Sequence, residues 1–501
     1  MFLLTLGGAI GCSAGELTAK QSTVMNSIAQ ERFAPRWEML GTNELGELRL
    51  KVERYETELR KNHLVGGLVV SLRYADTNRT RVVAYEGLED STAWTGFYLA
   101  SLAMRFVVER RPATLDAVRQ VLDGVERLIQ STGRPGYVPR FAGPARDEAY
   151  QAMYSQYGGA DPKRPGFGRL AFPGTNGLVW LAGPSREIYS GLNLGLALTH
   201  QFIREPGIRS RVSNIVDRIL TRIELDGGRL DDGQGPKEYL PAVLHAALLR
   251  TGASAVGRSW VTKYEKIAEL VEAEHMADDI GATLPRYDSV RPVVFTTADD
   301  FALNRLETNR ARKMMYQEKL SKIWRSSAPE LNPWIAGAVI SVDDLRQMDS
   351  KSAPVDSTAM TILQGVLFEY PAWPRWAASI PLPSDYPLQK VEANGQTWSK
   401  HPLPVYSRPV QAFQWVQSGR TLVTNPVAVP VVHPGVDLML PYWLARNAGV
   451  ILPEDLPPLK KAPLTRTTGP RFGATNAYGR VIGTNTPAGG AAPATKPVEK
   501  K

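Results

Sequence analysis

The residues of this chain best suited to chemistry are carboxylates that stand next to apolar helical stretches. Asp90 precedes the apolar run STAWTGFYLASLAMRF, and Asp231 and Asp232 lie in the glycine-rich stretch LDGGRLDDGQG. Carboxyl groups can act as general acids, general bases or nucleophiles when their surroundings separate their pKa values. Asp90 has a second interpretation, because a carboxylate before a helix can also cap the helix N-terminus, which is worth about 0.5–2 kcal/mol. The sequence leaves both roles open.

Aromatic side chains and arginines occur close to these carboxylates, in the segments RPGYVPR and GLVWLAGPSREIYSG. Sugar rings present apolar faces and many hydroxyl groups, so a sugar-binding cleft uses flat aromatic rings and guanidinium groups that form paired hydrogen bonds. The same residue types also anchor cores and loops. The candidate substrate-binding residues are Trp94, Tyr137, Arg140, Trp180 and Tyr189.

Cys12 is the only cysteine of the 501 residues, so it cannot form an internal disulfide. It follows a short apolar run, and residues 9–12 resemble the lipobox of bacterial lipoproteins, in which a signal peptide is cut before an acylated cysteine. The resemblance implies a signal peptide at 1–11, shortened at its start because no Lys or Arg precedes the apolar run. It also implies lipidation at Cys12. The alternative is a buried N-terminal segment with a chance cysteine.

The charge distribution argues against a nucleic-acid partner. The net charge is +9, but residues 452–501 hold eight basic and three acidic residues, a net charge of +5. The rest is too weakly and too diffusely basic to form a nucleic-acid footprint. Residues 451–501 are rich in Pro, Gly, Ala and Thr and are predicted to be a disordered basic tail. No paired histidines, thiolate clusters or glycine-rich phosphate loops occur, so no metal or cofactor is predicted.

The elements that must position these residues are mainly helical. An N-terminal arm with a polar helix is expected at 12–60, and β-branched runs predict a hairpin at 66–87. Apolar helices then alternate with amphipathic ones, and the first pair recurs with an offset of about 95 residues that places Gly96 over Gly191. Alternating inner and outer helices predict a double-layered (α/α) helical toroid over 61–450. Within it, residues 371–441 are expected to form an irregular Pro- and Trp-rich segment, and a long helix is expected from Asp299 to Arg325.

Four segments, WTGFYLAS, RPGYVPR, IYSGLNLGLAL and GVDLMLPYWLARNAGV, resemble helical-toroid proteins of bacterial surfaces, which are similar to glycoside hydrolases and polysaccharide lyases of the (α/α) barrel type. The resemblance implies a cleft at one end of the inner helices. A glycosidase would pair Asp90 with Asp231 or Asp232, and a lyase would use Tyr137 or Tyr189 as base with Arg140 neutralising a uronate. Arg186 and Glu187 stand where some relatives have Asp.

Together these observations predict a lipid-anchored protein of the bacterial cell envelope, at the outer membrane or the periplasmic face. It would bind a polysaccharide and cleave it with carboxylate acid–base chemistry. The alternative is a surface or assembly lipoprotein without catalysis, which holds a glycan or a partner protein at the same end. The sequence makes no prediction about the oligomeric state.

Overall fold

The computed structural model describes most of the chain between residues 40 and 451. Its gaps are residues 77, 146, 148–170, 231–237, 278–289, 343–356, 373–375, 378–381, 383, 385, 387, 394–395, 409–413 and 423–428. Cys12, the expected signal peptide, Asp231, Asp232 and residues 452–501 therefore lie outside the described residues. Ile451, where the basic tail was expected to begin, is fully buried in the core.

The described part of the chain is mainly helical, as the sequence predicts. It contains twelve α-helices: α1 Thr42–Glu58, α2 Ser91–Glu109, α3 Pro112–Gln130, α4 Arg186–Phe202, α5 Pro206–Leu225, α6 Ala242–Ala255, α7 Arg258–Ala277, α8 Arg291–Leu306, α9 Arg310–Ser327, α10 Pro333–Ile340, α11 Ser357–Glu369 and α12 Val436–Asn447. The expected polar helix is α1, which continues into a π-helical turn at Leu59–His63. The long helix expected from Asp299 is instead two helices, because Asn309 caps a new one, α9.

The helices alternate between buried and amphipathic, which follows from their side chains. Helix α10 is buried along its whole length, whereas α3 buries one stripe that includes Val118, Val121 and Val125. The buried helices contact each other: α2 packs on α4 and α12, and α8 packs on α4, α6 and α10. Each of the buried helices before α12 is followed by a helix that packs on it, as the amphipathic α3 does on α2 and α5 on α4. We call α2, α4, α6, α8, α10 and α12 the inner helices.

The inner helices α4, α6, α8 and α10 have their C-terminal ends together. Gln201 of α4 donates a hydrogen bond of 2.7 Å to the carbonyl of Arg305, and Arg305 of α8 donates one of 3.0 Å to the carbonyl of Ser341 after α10. Arg250 of α6 donates to the carbonyl of Leu306. These donors satisfy carbonyls that a helix end leaves without intrahelical partners. The N-terminal ends therefore lie at the opposite end of the bundle, where the longest connections enter.

Two glycines allow α2 and α4 to pack with their backbones in contact. A Cβ atom on Gly96 would overlap the backbone of Gly191, and one on Gly191 would lie 2.7 Å from the Cα atom of Ala93. These are the two glycines that the sequence repeat superimposes. Only residues without a side chain fit this crossing, so the repeat coincides with a close backbone contact between α2 and α4.

Short strands cover the N-terminal end of the inner helices. They are β1 Leu64–Val65, β2 Leu68–Val69, β3 Ser71–Tyr74, β4 Val82–Glu86, β5 Phe141–Pro144, β6 Ala171–Pro173, β7 Leu178–Leu181, β8 Arg229–Leu230, β9 Glu238–Tyr239, β10 Trp376–Ala377, β11 Lys390–Ala393, β12 Gln396–Ser399 and β13 Val429–Val432. The predicted hairpin is present, since β3 pairs antiparallel with β4. Strands β13 and β10 extend this sheet in the order β10-β13-β3-β4. Pro441, which the sequence pattern assigns to the irregular segment, lies inside α12.

Candidate functional site

Four charged side chains meet at the N-terminal ends of the inner helices. Asp90 is the residue before α2, Arg291 is the first residue of α8, and Glu187 is the second residue of α4. Arg140 stands immediately before β5. We call Asp90, Arg140, Glu187 and Arg291 the N-terminal charge cluster.

Asp90 is held by a bidentate ion pair. Its two carboxylate oxygens accept hydrogen bonds from Arg291, 2.8 Å from Nη1 to Oδ2 and 2.5 Å from Nη2 to Oδ1. Its side chain makes no capping hydrogen bond to α2, although Asp90 occupies the capping position. The helix-capping interpretation is therefore wrong for the side chain. Because both oxygens are engaged by one guanidinium, Asp90 anchors Arg291.

Arg140 connects loops instead of pointing into a cleft. Its Nη1 donates 2.8 Å to the carbonyl of Glu89 and its Nε donates to the carbonyl of Gly183, while Nη1 lies 3.9 Å from Asp90 Oδ1. Its backbone N–H also donates to the carbonyl of Leu181. The residue is buried. Arg140 thus holds the start of α2 against the end of β7, which is a different role from the substrate contact expected from the sequence.

Glu187 and Arg291 are the more open members of the cluster. Arg291 Nε lies 3.6 Å from Glu187 Oε1, and their side chains are 28% and 30% exposed. Burial acts to lower the pKa of Arg291, but the hydrogen bonds and charge of Asp90, joined by Glu187, outweigh it and raise that pKa above its usual value. Arg291 is therefore a permanent cation that joins two carboxylates. The sequence carries no local signal for this pairing, because 201 residues separate Arg291 from Asp90.

Trp94 lies in the core. It is fully buried, with its ring centroid 5.1 Å from that of Phe97 and 5.4 Å from that of Trp415. Trp334 stacks on Trp415 at 5.8 Å in the same group. Aromatic rings at these separations stabilise a core. Trp94 is therefore part of the packing between inner helices, whereas the sequence suggested a sugar platform.

The other three predicted aromatic ligands are also buried. Tyr137 and Trp180 pack edge to face, with ring centroids 5.6 Å apart. Tyr189 lines a cavity of about 10 Å³ beside Asn193, which has room for about one water molecule and none for a sugar. Burial raises the pKa of Tyr189 well above its usual value. A tyrosine with such a pKa is a poor proton acceptor at neutral pH, which disfavours Tyr189 as a lyase base.

A second group of carboxylates lies deeper, in the middle of α8. Asp299 and Asp300 are both buried, and we call them the buried carboxylate pair. Ser190 Oγ of α4 donates 3.0 Å to Asp299 Oδ2, and Lys319 Nζ of α9 lies 3.3 Å from Asp300 Oδ1. Asp299 Oδ1 accepts no hydrogen bond from the described residues. Burial raises the pKa of both carboxyl groups, most strongly for Asp299.

Among the described residues, no three His, Cys, Asp or Glu side chains converge as a metal ion requires. Within the same part of the chain, no helix is long and apolar enough to cross a membrane. A comparison of the sequence with protein-family models gives no match, and a comparison with curated proteins gives none either. A functional proposal therefore depends on the residues of this chain and their contacts.

Proposed function

We propose that the protein binds a polysaccharide at the N-terminal ends of its inner helices. The proposal includes the arrangement of these helices: the inner helices close into a ring inside their amphipathic partners, as a double-layered (α/α) toroid. The packing of α2 on α4 and α12, and of α8 on α4, α6 and α10, supports this arrangement. In such a ring the long connections gather at one end, which leaves one concave surface for a ligand.

The observation that carries the proposal is the N-terminal charge cluster. Glu187 and Arg291 present partly exposed hydrogen-bonding edges of opposite charge at the end where the connections gather. A carboxylate accepts hydrogen bonds and a guanidinium donates them, so the two together match hydroxyl groups, which do both. The bidentate pair with Asp90 fixes the position of Arg291. A fixed guanidinium loses less conformational entropy when it binds a ligand.

Cleavage of the bound polysaccharide is the second candidate function. A glycosidase needs two carboxyl groups on either side of the scissile bond. Asp90 is occupied by Arg291, so the partly exposed Glu187 is the better candidate among the described residues. Its partner would be Asp231 or Asp232, which lie outside the described residues.

A binding screen against soluble bacterial and plant polysaccharides tests the proposal. Glu187→Gln should weaken binding by about tenfold, since a hydrogen bond to a charged group contributes about 1.5–3 kcal/mol. The matched control is Glu269→Gln, an exposed carboxylate on α7. Equal affinity of the two variants, or no binding to any polysaccharide by the wild type, would contradict the proposal. New reducing ends would identify a hydrolase and unsaturated products a lyase, and binding without products would identify a non-catalytic glycan-binding protein.

The proposal places the protein at the bacterial cell envelope, at the outer membrane or the periplasmic face, held by a lipid on Cys12. A single cysteine directly after an apolar run supports this location. Palmitate labelling of expressing cells should give a labelled protein, and Cys12→Ala should abolish the label. An unlabelled wild-type protein with an intact N-terminus would refute the anchor.

A further inference from the structure

The end of the molecule opposite the N-terminal charge cluster carries exposed arginines. An exposed arginine lies in or directly after each of four turns that follow an inner helix: Arg110, Arg204, Arg258 and Arg310. Arg111, which is also exposed, pairs with Glu109. None of the four has an ion-pair partner among the described residues, and Arg110 lies over the ring of Phe106. We call this surface the basic end.

The nearest carboxylates in sequence do not neutralise these arginines. Glu109 accepts a 2.9 Å hydrogen bond from Arg105, and Glu205 accepts hydrogen bonds from the backbone N–H groups of Gly207 and Ile208. Glu307 is buried and accepts a hydrogen bond from Tyr264. Each carboxylate therefore already has a partner in the fold, and the arginines beside them remain available to an external anion.

The helix dipoles do not explain why an arginine stands at each of these positions. Each turn follows the C-terminus of an inner helix, which favours a cation, but it also precedes the N-terminus of an outer helix, which disfavours one. Arg258 is the first residue of α7 and Arg310 is the first residue of α9. Because the two dipoles offset one another, helix stability does not account for an arginine in each turn.

Exposed apolar side chains stand beside two of the arginines. Val256 and Val261 flank Arg258, and Met314 lies one helical turn after Arg310. Their side chains are exposed by 38%, 38% and 44%, which places them among the few large apolar side chains exposed in the described part of the chain. Apolar groups next to cations are typical of surfaces that bind lipid, because the cations contact headgroups while the apolar groups reach the acyl boundary.

Both ends of the described chain lie at the basic end. The backbone N–H of Leu40 donates 2.9 Å to Gln364 Oε1, and Gln364 Nε2 donates 2.9 Å to the carbonyl of Val450. Val450 closely follows α12, whose last turns pack against Arg105 of α2 and Gly337 of α10. The segment that contains Cys12 and the basic segment 452–501 therefore both join the core at this end.

We propose that the basic end binds the anionic lipid headgroups of a membrane surface. The four arginines supply the charge, and Val256, Val261 and Met314 supply the apolar contact. Bound in this way, the protein holds its N-terminal charge cluster on the side away from the membrane. This orientation rests on the proposed function, whereas the lipid contact does not. The apolar side chains favour a lipid surface over an acidic polymer, which offers them no apolar partner.

Vesicle co-sedimentation of the full chain tests the proposal, with Cys12→Ala present so that no acyl chain contributes. The vesicles contain phosphatidylglycerol with phosphatidylcholine, or phosphatidylcholine alone. One variant carries glutamine at the four arginines of the basic end. The matched control carries glutamine at four exposed cations elsewhere: Lys61, Arg81, Arg134 and Lys266.

The basic-end variant should lose at least about tenfold in affinity for phosphatidylglycerol vesicles, since each cation near an anionic surface contributes about 1 kcal/mol. The control variant should lose less than about twofold in this affinity. Neither variant should bind vesicles of pure phosphatidylcholine. Equal losses in the two variants, or no binding of the parent protein to anionic vesicles, would overturn the proposal. So would binding to heparin or polyphosphate without binding to vesicles. The vesicles hold no glycan, so this result is independent of the polysaccharide screen.

Discussion

The N-terminal charge cluster and the buried carboxylate pair both place two carboxylates near cations, but they balance charge differently. In the cluster, Arg291 contacts Asp90 and Glu187, and Arg140 stands beside Asp90. In the buried pair, Lys319 contacts Asp300, while Asp299 accepts a hydrogen bond, among the described residues, only from the hydroxyl of Ser190. The cluster is thus close to neutral when all its groups are ionised, whereas the buried pair is neutral only if one carboxyl group keeps its proton.

The N-terminal charge cluster is therefore an electrostatic scaffold, whereas the buried carboxylate pair is a site that can gain and lose a proton. Two guanidinium groups lie within 3.9 Å of the carboxylates of the cluster, so these side chains hold one another in place and can position a ligand. The buried pair changes charge when Asp299 loses its proton. Helix α4 links the two regions, because Glu187 and Ser190 are three residues apart on it. A change of charge at Asp299 therefore occurs one helical turn below the proposed binding surface.

Lys319→Met should have the largest effect on stability, because it removes the cation from the buried pair. Asp300 is fully buried, and an uncompensated buried charge costs about 3 kcal/mol. We expect a loss of about this size in the free energy of unfolding at pH 7, measured by urea denaturation. The control is Lys322→Met on the same helix, whose surface pair with Glu318 contributes less than about 0.5 kcal/mol. Equal losses in the two variants would mean that Lys319 does not compensate Asp300.

Arg291→Gln tests the N-terminal charge cluster in the same way and should lower the free energy of unfolding by a smaller amount. Asp90 would keep Arg140, 3.9 Å away, and Arg291 is itself partly exposed, so we expect a loss of about 2 kcal/mol at pH 7. A double-mutant cycle with Asp90→Asn separates the pair energy from other effects. Strictly additive losses would show that the bidentate pair contributes nothing to stability.

Asp299→Asn should have the smallest effect at pH 5, under about 1 kcal/mol, because the amide oxygen can still accept the hydrogen bond from Ser190. Burial raises the pKa of Asp299, so the folded state binds more protons than the unfolded state above about pH 4. Wild-type stability should then fall as the pH rises towards the folded pKa, by up to about 1.4 kcal/mol per pH unit. Asp300 and Lys319 face the same region and remain in both proteins.

Urea denaturation of both proteins at several values between pH 5 and pH 8 measures this effect. The variant should become progressively more stable than the wild type as the pH rises. A constant difference across this range would show that Asp299 is ionised in the folded protein at every pH tested.

The sequence predicts the helices of this fold better than its site. The apolar and amphipathic periods of α2 to α5 mark real helices, since burial imposes those periods directly. Trp94 was misplaced because a tryptophan in the first turn of a helix has the same local sequence whether it faces a cleft or a core. The sequence pattern starts a long helix at Asp299. The helix instead begins at Arg291, so the pair lies inside it.

One signal for the buried pair was present in the sequence. Apolar residues surround it on both sides, with Val294 and Phe295 before and Phe301 and Leu303 after. Two adjacent carboxylates within such a stretch must face something other than solvent. The pairing of Asp90 with Arg291 had no comparable signal, because contacts between distant segments are set by the packing of helices and not by local sequence.

The contact between Gly96 and Gly191 has a consequence for how the molecule opens. Backbones this close leave no space for water, so α2 and α4 should separate only when the whole fold is lost. Their amide hydrogens should exchange with solvent at the slowest rates in the chain, close to the limit set by global unfolding. Glu187 and Ser190 are on one of these helices, and Asp90 directly precedes the other. The proposed binding surface would then keep its shape through every partial opening of the surrounding connections.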